Sequence, residues 1–206
     1  MNHLDYIAQE AGELWREEIL YRYLLTKGDA FGGRMRNIIG KLASEKLQGA
    51  VSHALSRRNI PSAVSRTRSG KISMMQWHER ALLFDWKPRL VRRKSIDAIL
   101  VRTATDMDVT VLVESRERYL ACGEVKGGID PAGADEHWKT ATSALSRIRE
   151  AFGSAGCPAL FFLGAAIEQD MAGEIFEQLG NGMLTHAANL NRDEQIDDLI
   201  EWLIEL

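Results

Sequence analysis

From about Leu90 the chain alternates short β-branched runs with amphipathic stretches, and that order restricts the fold more than any other feature. The runs Ser95–Val101, Asp108–Glu114 and Tyr119–Lys126 read as three successive strands, with a polar turn around Thr105 and Asp106. After a loop rich in Gly, Pro and Asp, Asp135–Phe152 reads as a helix with Trp138, Ala141, Leu145 and Ile148 on one face. Pro158–Gly164 is a buried strand, Glu168–Leu179 a helix and Met183–Leu190 a weaker strand. Asp193–Leu206 is an amphipathic helix with Ile196, Leu199, Ile200 and Leu203 inward. Three strands followed by helix, strand, helix, strand and helix imply an α/β fold: a mixed β-sheet flanked by helices.

The N-terminal region is patterned differently. From Leu4 to about Arg58, apolar residues recur at three and four positions, which predicts helix. The segment 27–33, with Gly28, Gly32 and Gly33, reads as a turn that ends one helix and starts another near Arg34. Residues 60–75 read as a loop. The expected organisation is a helical N-terminal region with a basic segment over 1–89 and a core over 90–206, within the size of one compact unit. Trp15, Tyr23, Trp138 and Trp202 lie at core spacing. Cys122 and Cys157 are expected as buried, reduced thiols, and His3, His53, His78 and His186 as structural or surface residues. The N-terminus is too polar for a signal peptide and no apolar run reaches membrane-spanning length, so a soluble cytoplasmic protein is expected.

Charge is distributed unevenly. Between Leu55 and Ser95 eleven basic residues face only Glu79 and Asp85, a net charge of +9. The whole chain carries −3, so the remainder carries −12. A basic belt interleaved with Trp77, Phe84, Trp86 and Pro88 suits contact with a polyanion, and nucleic acid is the expected one.

The chemistry centres on Glu124-Val125-Lys126. Side chains of a strand alternate between faces, so Glu124 and Lys126 project to the same side. Asp97 sits inside the apolar run Ile96–Leu100, where a carboxylate is costly unless a cation compensates it. If the strands at 95 and 119 are neighbours, Asp97 and Glu124 converge, and two carboxylates completed by water and phosphate oxygens suit Mg²⁺. Lys126 beside them can orient a water and steady charge on a phosphate. Metal-assisted hydrolysis of a phosphodiester is the reaction that these groups describe. No CxxC, HExxH or P-loop is present, which leaves zinc catalysis and nucleotide hydrolysis without support.

Asp97, twenty-six intervening residues and then Glu124-Val125-Lys126 resemble the PD-(D/E)XK nuclease signature. The segment from Gly123 to Lys139, with a histidine eleven residues after the lysine, resembles the active-site region of type II restriction endonucleases of the AvaI/BsoBI group. Ser95-Ile96 replaces the proline that the signature's name places before the aspartate. Residues 28–37 resemble a Gly-rich basic segment of several such enzymes. The resemblance implies a restriction-endonuclease-like core, with Asp97 and Glu124 as ligands of one or two Mg²⁺ ions. It also implies Lys126 as the water-orienting residue and His137 as a further active-site group. Placed near a helix start, His137 would be kept neutral and able to accept a proton from water. Arg34, Arg36 and Asn37, read at a helix start, are candidate DNA contacts, as are Arg92, Arg93, Lys94 and Lys139. Asp130, in the loop after the catalytic strand, either accepts from a base amino group or caps its own turn.

Three functions follow. The first is a sequence-specific double-stranded DNA endonuclease cutting a short palindrome as a homodimer, since two-fold DNA symmetry calls for one active site per strand. The second is a non-restriction nuclease of the same fold, for repair or phage defence. The third is an inactive DNA-binding module, which the intact Asp97, Glu124 and Lys126 argue against.

Overall fold

The computed structural model describes residues 14–103, 108–153 and 155–206. The chain divides into two compact units, Met1–Ile39 and Gly40–Leu206.

Helix α1 spans Trp15–Arg57 without interruption. The turn expected at 27–33 is absent: Gly28, Gly32 and Gly33 all have helical backbone, and no proline interrupts the segment. Each glycine costs a helix about 1 kcal/mol relative to alanine, which 43 residues of continuous hydrogen bonding absorb. Within the first unit, Leu20, Tyr21, Tyr23, Leu24, Leu25 and Phe31 are exposed. Trp15 and Tyr23, expected in a core, are therefore surface residues of α1.

The second unit is built on a seven-stranded sheet, ordered β1 to β7. Its strands are β1 (Ser62–Arg66), β2 (Ile72–Trp77), β3 (Arg80–Trp86), β4 (Ile96–Arg102), β5 (Tyr119–Lys126), β6 (Ala159–Gly164) and β7 (His186–Asn189). Pairing is antiparallel from β1 to β5 and parallel from β5 to β7. The helices are the short α2 (Val109–Leu112), then α3 (Pro131–Phe152), α4 (Gln169–Gly180) and α5 (Asp193–Glu205).

Two segments depart from their sequence expectation. Residues 60–75 are a hairpin rather than a loop, closed where Thr67 N–H donates to the Lys71 carbonyl (2.8 Å) and Gly70 adopts φ 83°. Every residue of β1 is exposed, so it lacks the alternation that marks a half-buried strand. Asp108–Glu114 is not a strand. Asp108 Oδ1 accepts from Thr110 N (2.7 Å), and this N-cap turns the β-branched run into α2. Strands β3 and β4, on either side of residue 89, pair within this one sheet.

Strand periodicity sorts the core into two layers. On one face Ile99, Cys122 and Phe162 pack with Trp138, Leu145 and Ile148 of α3 and Met171 and Ile175 of α4. On the other, Leu100, Ala121 and Phe161 pack with Leu47, Val51 and Leu55 of α1 and Leu199, Ile200 and Leu203 of α5. A mixed sheet between helical layers is the architecture expected from the strand and helix order. Trp138 and Cys122 are buried as expected, Cys157 is half-buried, and both thiols are free. His53 and His78 are exposed, and His186 contacts Asp198 (3.2 Å) and the Trp202 ring. No helix among the described residues is long and apolar enough to cross a membrane.

Candidate active site

The antiparallel register of β4 and β5 pairs Ala98 with Gly123. One step further, Asp97 faces Glu124, and side chains directly opposite on one sheet face lie about 4.5–5.5 Å apart at Cβ. This is why two carboxylates 27 residues apart in sequence meet at the end of two strands. Asp97 Oδ2 accepts from Val125 N–H (2.8 Å) and from Lys126 Nζ (3.4 Å), and Lys126 Nζ also donates to Glu124 Oε2 (2.8 Å). Gly123 lets β5 approach β6 closely: a Cβ there would overlap the Phe161 ring.

Electrostatically, the trio is short of positive charge. Glu124 is 3% exposed, the one charged side chain in the core among the described residues. Its Oε1 is buried and has no hydrogen-bond partner. Burial and then the Asp97 carboxylate raise its pKa to about 7, against the pull of Lys126. Burial also works against the Lys126 ammonium, but Glu124 and Asp97 outweigh it and hold the lysine above its ordinary value. Two carboxylates facing one ammonium, with a buried oxygen left over, fit a hard divalent cation. Among the described residues no group of three His, Cys, Asp or Glu side chains surrounds one point, so Asp97 and Glu124 are the side chains that would hold such an ion.

His137 reaches this region from α3. A Cβ on Gly128, two residues beyond Lys126, would overlap the His137 imidazole, so the half-buried ring rests on the backbone that leaves β5. Sequence reasoning missed this role of Gly128, although the Gly127-Gly128 pair was a visible signal. Helix α3 begins at Pro131, so His137 lies well beyond the first turn rather than near the helix start expected from sequence, and the helix-end field has faded there. The neighbouring Trp138 is fixed by its indole N–H donating to Glu174 Oε2 (2.6 Å).

The other candidate residues divide by location. Arg92, Arg93 and Lys94 are exposed in the segment leading into β4 and Asp97. Asp130 is exposed, and its carbonyl accepts from Gly133 N–H (3.1 Å). Lys139 is an exposed α3 residue paired with Asp135 (2.6 Å), one helical turn earlier. Arg34, Arg36 and Asn37 lie inside α1 rather than at a helix start. Their N–H groups serve the helix ladder, so the expected phosphate seat of free backbone donors does not form.

Comparison with known proteins decides among the three functions. The family model for the restriction endonuclease BsobI matches residues 3–76 and 68–206. The chain belongs to the BsobI restriction endonuclease family. As a member it is an enzyme, of the type II restriction class. It is 40% identical over 228 residues to the type II restriction enzyme BsoBI of Geobacillus stearothermophilus, covering 100% of this chain and 70% of that protein. The type II restriction enzyme AvaI of Nostoc sp. is 39% identical over 217 residues, covering 96% of this chain and 69% of that protein. AvaI of Anabaena variabilis matches equally, at 39% over 217 residues. Membership in the BsobI family agrees with the resemblance read from Gly123–Lys139 and sets aside the repair nuclease and the inactive binding module.

Proposed function

We propose that this enzyme cleaves double-stranded DNA within a short palindromic site, as a cytoplasmic homodimer, by Mg²⁺-assisted attack of water on the phosphodiester. The observation that carries the reading is the buried Glu124 carboxylate, one oxygen unpartnered, facing Asp97 and Lys126 at the end of the sheet. In this reading Asp97 and Glu124 hold one or two ions. A bound ion supplies Lewis-acid stabilisation of the phosphoryl oxygens and lowers the pKa of its water. Lys126 orients the attacking water and offsets charge developing on the phosphate. His137 accepts a proton from that water through its imidazole.

Residues 1–89 contribute DNA contacts and 90–206 carry the chemistry. Arg92, Arg93 and Lys94 bind backbone phosphates beside the cut. Asp130 accepts from the amino group of cytosine or adenine, the major-groove donors that a carboxylate can read. Arg34, Arg36 and Asn37 reach DNA through their side chains, and Lys139 does so by exchanging Asp135 for a phosphate. A palindrome cut on both strands requires two copies of the site. The test is incubation with plasmid DNA. Discrete fragments with Mg²⁺ and intact plasmid with excess chelator are expected; a uniform smear would defeat the sequence-specific reading.

A further inference from the structure

The cations between residues 55 and 95 are not equivalent. Arg57 and Arg58 pair with Glu201, Arg58 also with Glu205 (3.1 Å), and Lys71 pairs with Asp85. Arg66 and Arg80 donate to the carbonyls of Gly70 (2.9 Å) and Leu206 (2.8 Å). These five are neutralised or tethered within the fold. In contrast Lys87, Arg89, Arg92, Arg93 and Lys94 have no side-chain hydrogen bond or ion pair among the described residues, and all five are exposed.

Five unpaired cations within eight residues repel one another, and a flexible segment would spread them apart. Here the segment is fixed. Residues Arg89–Val91 form a 3₁₀ turn, Arg92 N–H donates to the Arg89 carbonyl and Arg93 N–H to the Pro88 carbonyl, each at 2.9 Å. Arg92 and Arg93 have φ of 55° and 57°, a left-handed region that non-glycine residues occupy at a cost of about 1–3 kcal/mol each. Lys87, Arg89 and Arg93 line one cleft of about 520 Å³, walled by Trp86, Val111 and Val113. The Thr110 and Ser115 hydroxyls in the cleft already donate to Asp108 Oδ1 and the Val111 carbonyl, so the cations alone can receive an anion. Glu114 is the single acid lining it, and its Oε1 is engaged by Arg89 N–H (3.1 Å).

We propose that this cleft seats a DNA backbone phosphate next to the cut, held by Lys87, Arg89 and Arg93. Arg93 lies four residues before Asp97, a reach of at most about 14 Å along the chain. With side-chain reach added at both ends and a rise of about 3.4 Å per nucleotide, the seated phosphate lies within several nucleotides of the scissile one. The basic belt is thereby divided: its second half meets DNA, while Arg57, Arg58, Lys71 and Arg80 hold the fold together.

The inference rests on the duplex-DNA reading above, and one experiment separates the two. The affinity of the full chain for a random 30-base-pair duplex is measured in chelator over a series of NaCl concentrations. Lys87→Ala, Arg89→Ala and Arg93→Ala are each expected to flatten the slope of log K against log[salt] by about 0.9, the signature of one lost phosphate contact. Arg57→Ala and Lys71→Ala should leave it unchanged. Arg93→Gly, which tolerates the left-handed backbone, checks that a flattened slope reflects charge rather than a disturbed turn. Wild-type slopes in all three cleft variants, or equal flattening in the two controls, overturn the proposal. Wild-type protein with no salt-dependent binding removes the duplex-DNA reading, and the cleft with it.

Discussion

On one face of the sheet, α3 and α4 cover Ile99, Cys122 and Phe162; on the other, α1 from Gly40 onward and α5 cover Leu100, Ala121 and Phe161. Both layers are apolar and closely packed, yet their charges are arranged in opposite ways. On the second face the ion pairs lie at the rim, as in Lys46–Asp193 (3.0 Å) and Arg58–Glu205 (3.1 Å), and exposed pairs of this kind contribute about 0–1 kcal/mol. On the first, Glu124 and Lys126 follow Cys122 at the strand period and carry charge into the edge of the core. One strand thus serves two purposes by parity. Residues 122, 124 and 126 of β5 lie on the side of the candidate site, while 121, 123 and 125 face the α1 and α5 layer.

Substitutions on the two faces should therefore have separable effects. The largest is expected at Lys126→Ala or Asp97→Ala: plasmid cleavage falls by at least about 10³-fold while duplex affinity stays within a few-fold of wild type. Wild-type cleavage by Lys126→Ala would erase the distinction between the faces. Across the sheet, Phe161→Ala should cost about 3–5 kcal/mol in denaturant unfolding, with the fragment pattern of the remaining folded enzyme unchanged.

A smaller effect sharpens the boundary of the active face. Gly128→Ala pushes the His137 ring aside and should slow single-turnover cleavage roughly 10- to 100-fold. In a His137→Ala background the vacated space accepts the new methyl, and the same change should cost less than about 2-fold. Equal losses in both backgrounds would detach Gly128 from His137. The smallest effect is on stability without metal. Because the folded pKa of Glu124 is raised to about 7, its contribution is fully present below the ordinary value of 4.5 and is lost as pH rises through 7. Chelated enzyme should thus melt higher at pH 5.5 than at pH 8, by an amount on the order of 1–3 kcal/mol from this group. Glu124→Gln should flatten that difference; a variant with the full wild-type pH dependence would trace it to other groups.

The same contrast explains what could be read before the structure was known. The convergence of Asp97, Glu124 and Lys126 was legible because a charge inside an apolar strand violates its own pattern, and the two-residue period says which charges share a side. The helices α3, α4 and α5 were legible from amphipathic spacing. The β1–β2 hairpin was not, because a strand with every residue exposed carries no hydrophobic alternation. Segment 108–114 misled because one aspartate capping Thr110 outweighs four β-branched residues. The continuity of α1 was hidden by glycines that a long helix tolerates. The partnership of Gly128 and His137 depends on α3 folding back over the end of β5, which no local pattern encodes.

The hydrogen bond from Val125 N–H to Asp97 Oδ2 has a mechanical consequence. Backbone pairing of β4 with β5 stops at Ala98 and Gly123, and the aspartate side chain makes the next cross-strand link in its place. Asp97 is thus the clasp at the end of a zipper as well as a member of the proposed reactive trio. Any pull that parts these two strands first loads that clasp, so with Asp97 in its proposed role, wedging the sheet open and disarming the enzyme are one event.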